Sequence, residues 1–187
     1  FTEFFDRFYE DTERREVLLA NVKRIGEDLP PQIYLDQLLR MADHALARAD
    51  HTIAKKMVRE AYVVLEGVNW LPEDYVGQKS RVAAYWHHIG DPERAREELA
   101  AALEFYDGHR ARIESFWRAK ALRPCAEAYQ AIGSRGTALA IYRRAIEEGR
   151  VNPNARPRAS DLARTACSMA EHRVEPTTDL WGQLRET

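Results

Sequence analysis

A chain of 187 residues suits one compact domain or one short repeat array with a continuous core. An apolar share of 45% excludes disorder along the whole length, and a charged share of 31% fits helices that each carry one solvated stripe. A formal charge of -2 supplies no long-range pull toward nucleic acid or an anionic membrane, so neither is expected as a partner. No apolar run approaches the roughly 20 residues that cross a bilayer, so membrane insertion is not expected. The opening FTEFFDRFYED also lacks the basic and apolar regions of a secretion signal, and the expectation is a cytoplasmic protein. Because residue 1 is Phe rather than Met, the sequence reads as part of something longer; its excess of Arg over Lys points to a GC-rich bacterial genome.

In chain order, residues 1–32 form an N-terminal helical segment in which Phe4 to Ile25 predicts one long helix or a broken one. Phe1, Phe4, Phe5, Phe8 and Tyr9 make its start strongly aromatic. Such a patch packs on a missing hairpin, on the first repeat or on a second copy, the last giving a homodimer. Residues 33–67 predict a hairpin of Ile33 to Ala49 and Thr52 to Glu66, with Asp50 capping the second helix. The pair Val63-Val64 falls inside a 3.6-residue apolar pattern and is read as helix.

Residues 74–106 predict a second hairpin, Asp74 to Ile89 and Pro92 to Tyr106. Between them Gly90-Asp91-Pro92 supplies a residue that accepts left-handed backbone, an acceptor for free amides and a proline suited to a first helical turn. Residues 111–149 predict a third, Ala111 to Ile132 and Thr137 to Glu148, with Gly133-Ser134 repeating that punctuation. An open break is expected over Val151 to Pro157. Residues 158–187 then supply capping helices, Ser160 to His172 and Thr178 to Leu184. The whole is expected to be a single domain.

One spaced set of residues recurs through these hairpins. Its clearest copy is Leu122, Cys125, Ala126, Tyr129, Gly133, Ala138, Tyr142 and Ala145. A second reads Val82, Ala83, Trp86, Gly90, Ala95, Leu99 and Ala102, and a weaker third reads Leu38, Met41, Ala42, Ala45, Ala49, Ala54, Val58 and Ala61. Alanines at such positions let paired helices approach closely, while Trp86 and Tyr129 fill the space between successive pairs. Self-similarity of this kind means stacked units, none of which buries its apolar face alone.

The set resembles the tetratricopeptide repeat over roughly residues 35 to 150. From Ala54 to Ala95 is 41 positions and from Ala95 to Ala138 is 43, longer than the family's usual period of about 34. Long-helix variants of the family, in kinesin light chains and bacterial regulators of the Rap type, absorb such extra length. HEAT-like and armadillo-like arrays, at about 40–47 residues, fit by length, but the tight turns and the alanine register match the tetratricopeptide pattern better. The resemblance implies an all-α, right-handed superhelix of tandem antiparallel helical hairpins, an α-solenoid, that takes a peptide or partner helix in a concave groove.

In that register the groove-facing residues are Asp36, Arg40 and Asp43, then Arg81, Ala84, His87 and His88, then Lys120, Arg123, Glu127 and Gln130. Arg81, Lys120 and Arg123 could receive a carboxylate or an acidic segment. The family's Lys and Asn carboxylate clamp is not reproduced.

No enzyme, metal or cofactor is expected. His87 and His88 are helix neighbours and point about 100° apart, which does not suit a shared metal. The pairs Glu97-Glu98 and Glu147-Glu148 lie side by side on solvated faces rather than opposed. GxSxG, HExxH and glycine-rich phosphate or dinucleotide signatures are absent. Cys125 and Cys167 sit in apolar patterns and read as small buried hydrophobes. Arg143, Arg144, Arg150, Arg156, Arg158 and Arg164 form a basic stretch without interleaved aromatics, offset by Glu147, Glu148 and Asp161. The reading is a protein-interaction scaffold. Alternatives are a ligand-responsive regulatory or sensory module of a larger bacterial protein, and a self-associating structural unit.

Overall fold

The structure, a computed structural model, describes residues 2–26 and 28–185. Phe1, counted above in the aromatic start, lies outside them. The described residues form ten α-helices and no strand: α1 (Thr2–Arg7), α2 (Thr12–Gly26), α3 (Pro31–Leu46), α4 (His51–Glu66), α5 (Pro72–His88), α6 (Pro92–His109), α7 (Ser115–Ala131), α8 (Arg135–Arg150), α9 (Ala155–Glu171) and α10 (Thr178–Arg185).

One turn, used four times among the described residues, sets the architecture. The N–H groups of Asp50, Asp91, Ser134 and Val174 donate back to the carbonyls of Ala45, Trp86, Tyr129 and Met169, at 2.9, 2.8, 2.8 and 2.8 Å. Each closes the end of a helix in a Schellman-type loop. The residue just before each donor is left-handed: Ala49 (φ 56°), Gly90 (88°), Gly133 (82°) and Arg173 (54°). Glycine takes this backbone without steric penalty, whereas a residue with a Cβ bears a strain of about 1–2 kcal/mol. The expected cap at Asp50 forms, with its carboxylate accepting from Ile53 N–H at 3.0 Å, and Asp91 accepts likewise from Arg94. Ser134 departs from that pattern, since its side chain makes no capping bond.

The chain divides into two compact units, residues 1–69 with 88–90, and residues 70–87 with 91–187. In the first, α3 and α4 form a hairpin whose core includes Leu35, Leu38, Met41, Ala42, Ala54, Val58, Ala61 and Leu65. The N-terminal helix is broken at residues 8–11, between α1 and α2. Of its aromatic residues, Phe5 and Tyr9 are buried and meet edge to face at 5.1 Å, while Phe4 stays 57% exposed. Tyr9 OH donates to Asp50 at 3.0 Å, and Asp6 binds His44 and Arg48 at 2.8 Å each. The aromatic start thus packs on the first hairpin, one of the three placements open to it.

In the second unit, Ala95, Leu99, Ala102 and Tyr106 of α6 and Ala138, Tyr142, Ala145 and Ile146 of α8 are fully buried. Ala83, Ala126 and Trp86 are buried with them, and Tyr129 is half-buried. α7 begins at Ser115 rather than Ala111, because the preceding segment is held elsewhere. Arg110 makes two bonds to the buried Glu148, at 2.5 and 2.9 Å, and Ile113 is buried. The break after α8 is shorter than expected: Arg158 donates to the Asn152 carbonyl at 2.9 Å, and α9 starts at Ala155. Cys125 is buried, but Cys167 is exposed, correcting the expectation that both are interior.

Candidate partner-binding face

In the second unit, α5, α7 and α9 are the first helices of successive hairpins, and their side chains bond one to the next. Between α5 and α7, Ser80 Oγ donates to the Val76 carbonyl and lies 2.8 Å from Cys125 Sγ. Complete burial pushes the Cys125 thiol up to about 12. Lys120 Nζ stands 3.7 Å from Asp74 and sits over the Trp117 ring. A Cβ placed on Gly77 would lie 3.7 Å from Pro124 Cγ, so the backbone of α5 comes near α7 at that point.

Between α7 and α9 the bonds are buried or part-buried. Arg123 Nη1 stands 3.5 Å from Asp161 Oδ1, each side chain 10% exposed. Burial lowers the Arg123 pKa and raises that of Asp161, and the mutual attraction opposes both shifts. Ser168 Oγ donates to Glu127 at 2.6 Å and Tyr142 OH pairs with the same hydroxyl at 2.8 Å. Burial pushes Tyr142 up to about 12. Gln130 Nε2 donates to the His172 carbonyl at 3.2 Å.

These contacts sort the residues expected to face a groove. Arg123, Glu127 and Gln130 are spent on the α7–α9 seam, and Arg123 in particular offers no free guanidinium. Lys120 is exposed; Arg81 is half-buried and donates to Gln78 at 3.0 Å; His87 is half-buried. In the first unit Arg40 is exposed and paired with Asp36 at 2.9 Å on its own helix, and Asp43 and His88 are exposed. The seam partners Asp161, Ser168 and His172 escape a reading that ends the repeats at residue 149. They lie 38, 41 and 42 residues beyond Arg123, Glu127 and Gln130, so one more step of the repeat would have found them. Outward of the seam, α9 exposes Ala163, Arg164, Cys167 and Ala170.

Among the described residues no group of three or more His, Cys, Asp or Glu is placed to hold a metal ion, and no helix is long and apolar enough to cross a membrane. No family model matches the chain, and no curated protein matches it. Its structure is similar to that of a Podosopora anserina protein described as a kinesin light chain with nearly identical TPR-like repeats. The likeness has a TM-score of 0.51 at 15% identity and covers 99% of this chain and 90% of that one. A singly substituted form of that protein matches equally, at a TM-score of 0.51 and 14% identity over the same shares of the two chains. The fold is that of tetratricopeptide-like helical repeats, an all-α solenoid of tandem hairpins.

Proposed function

We propose that the chain is a protein-interaction scaffold that holds a helix or extended segment of a partner along the outward stripe of α5, α7 and α9. The observation that carries this is the locking of three first helices side by side by the Ser80–Cys125, Arg123–Asp161 and Glu127–Ser168 contacts. A surface fixed in that way needs no ordering of its own when a partner arrives. Lys120 and Arg164 supply exposed cations for a carboxylate-bearing partner, and the small side chains Ala163, Cys167 and Ala170 leave room for close backbone approach.

Reversing charge at Lys120→Glu and Arg164→Glu tests this. Affinity capture from the source cells is expected to lose the partner, while the melting temperature stays close to the parent's, because exposed substitutions rarely cost more than about 0.5 kcal/mol. Capture unchanged by the double variant would end the proposal. Arg123→Glu is the contrasting case: it strands Asp161 in the seam and is expected to cost about 3–5 kcal/mol, so lost capture there would report lost folding.

A further inference from the structure

We infer a second docking site, on α4 of the first unit, for an acidic amphipathic helix of a partner protein. α4 begins with His51 and carries no acid in its first turn. The positive end of the helix dipole favours carboxylates there, and the helix itself supplies none. Lys55 and Arg59 continue the same stripe at four-residue spacing, and all three side chains are exposed. None of the three has a hydrogen-bond or ion-pair partner among the described residues.

The nearby acids do not cancel this charge. Glu16 is taken by Lys56 at 3.6 Å, Glu60 by Lys23 at 3.7 Å, and Asp50 by Ile53 N–H and Tyr9 OH. His51, Lys55 and Arg59 line an open cavity of about 590 Å³, which Val63 and Ile89 close on its apolar side. Ile89 belongs to the short segment that clusters with this unit. Val63 is 64% exposed, an apolar step one turn beyond the last cation.

Complementarity then specifies the occupant. Its carboxylates repeat every fourth residue and an aliphatic side chain follows one turn later, so that the charged run meets the cations and the aliphatic group meets Val63. This site shares no residue with the α5, α7 and α9 face, so either can fail without the other.

The test uses the whole chain and a fluorescein-labelled peptide, three Glu-Ala-Ala-Ala units followed by Leu, read by anisotropy. Binding is expected at about 50 mM salt, weakening as salt rises, with an affinity loss of about tenfold or more for the double variant Lys55→Glu, Arg59→Glu. The peptide with Gln in place of Glu is expected not to bind, and the Lys120→Glu, Arg164→Glu variant is expected to bind like the parent. Should the first double variant misfold by circular dichroism, Lys55→Gln with Arg59→Gln replaces it. Absent binding to the parent chain, equal binding to either α4 variant, or complete displacement by inorganic phosphate, which would mark a simple anion site, would overturn the inference.

Discussion

Asp50 joins two parts of the first unit through one carboxylate. One oxygen accepts from Ile53 N–H and starts α4; the other accepts from Tyr9 OH and holds the end of the aromatic segment, each at 3.0 Å. The Ile53 amide is the largest influence holding its pKa below 3.8, with burial acting in the opposite direction. Because the folded value lies below the unfolded one, the stabilisation is complete above the ordinary carboxylate range and is lost as pH falls through the lowered value. Asp50→Ala is expected to cost about 1 kcal/mol near neutral pH. Denaturant melts down to about pH 3 should show the parent losing that advantage over the variant. An advantage that persists undiminished at the acid end would assign the effect to packing instead. The cap was legible from Asp50 before an apolar run; the tyrosine bond, spanning 41 residues, was not, because no local pattern marks a partner so distant.

Two helical glycines differ in whether their neighbours leave room for a side chain. Gly77 sits inside α5 with ordinary contact distance to Pro124, so a methyl group fits, and Gly77→Ala is expected to stabilise by about 0.5–1 kcal/mol through lost chain entropy. Gly26 ends α2 against the buried Tyr34 ring, where a Cβ would fall 2.3 Å from Cε2. Gly26→Ala is expected to destabilise by about 1–3 kcal/mol, since a ring packed in the core has to shift. Thermal melts that moved both variants in the same direction would contradict these placements. At this scale the helices were readable from apolar spacing and turn residues, whereas their ends were set by distant partners. Arg110 reaching Glu148 delays the start of α7, and Arg158 reaching Asn152 shortens the gap before α9. Alanine spacing shows which face is interior; it does not show that Arg123 and Glu127 bond to α9 and Gln130 to the turn that follows it.

Across the whole chain, burial is uneven. α3, α7 and α8 carry seven buried residues each, while α1 carries one. Hydrogen exchange followed by mass spectrometry should therefore find the slowest amides in α3, α7 and α8 and the fastest in α1 and α10, where openings expose little apolar surface. Uniform protection along the chain would mean a single cooperative block. The repeat that organises the fold could be read because the same turn closes at Ala45, Trp86, Tyr129 and Met169. Its fourth use was hidden, because Arg173 stands where earlier copies have glycine or alanine.

The two thiols also differ in a way that is useful at the bench. Cys125 is sealed beside Ser80 with its ionisation pushed up to about 12, while Cys167 stands in the open on α9. A maleimide dye would thus have a single address on the folded chain. That address lies next to Arg164 on the proposed binding face, so a dye fixed there fills the room that the small side chains leave and is expected to weaken capture without any residue being exchanged.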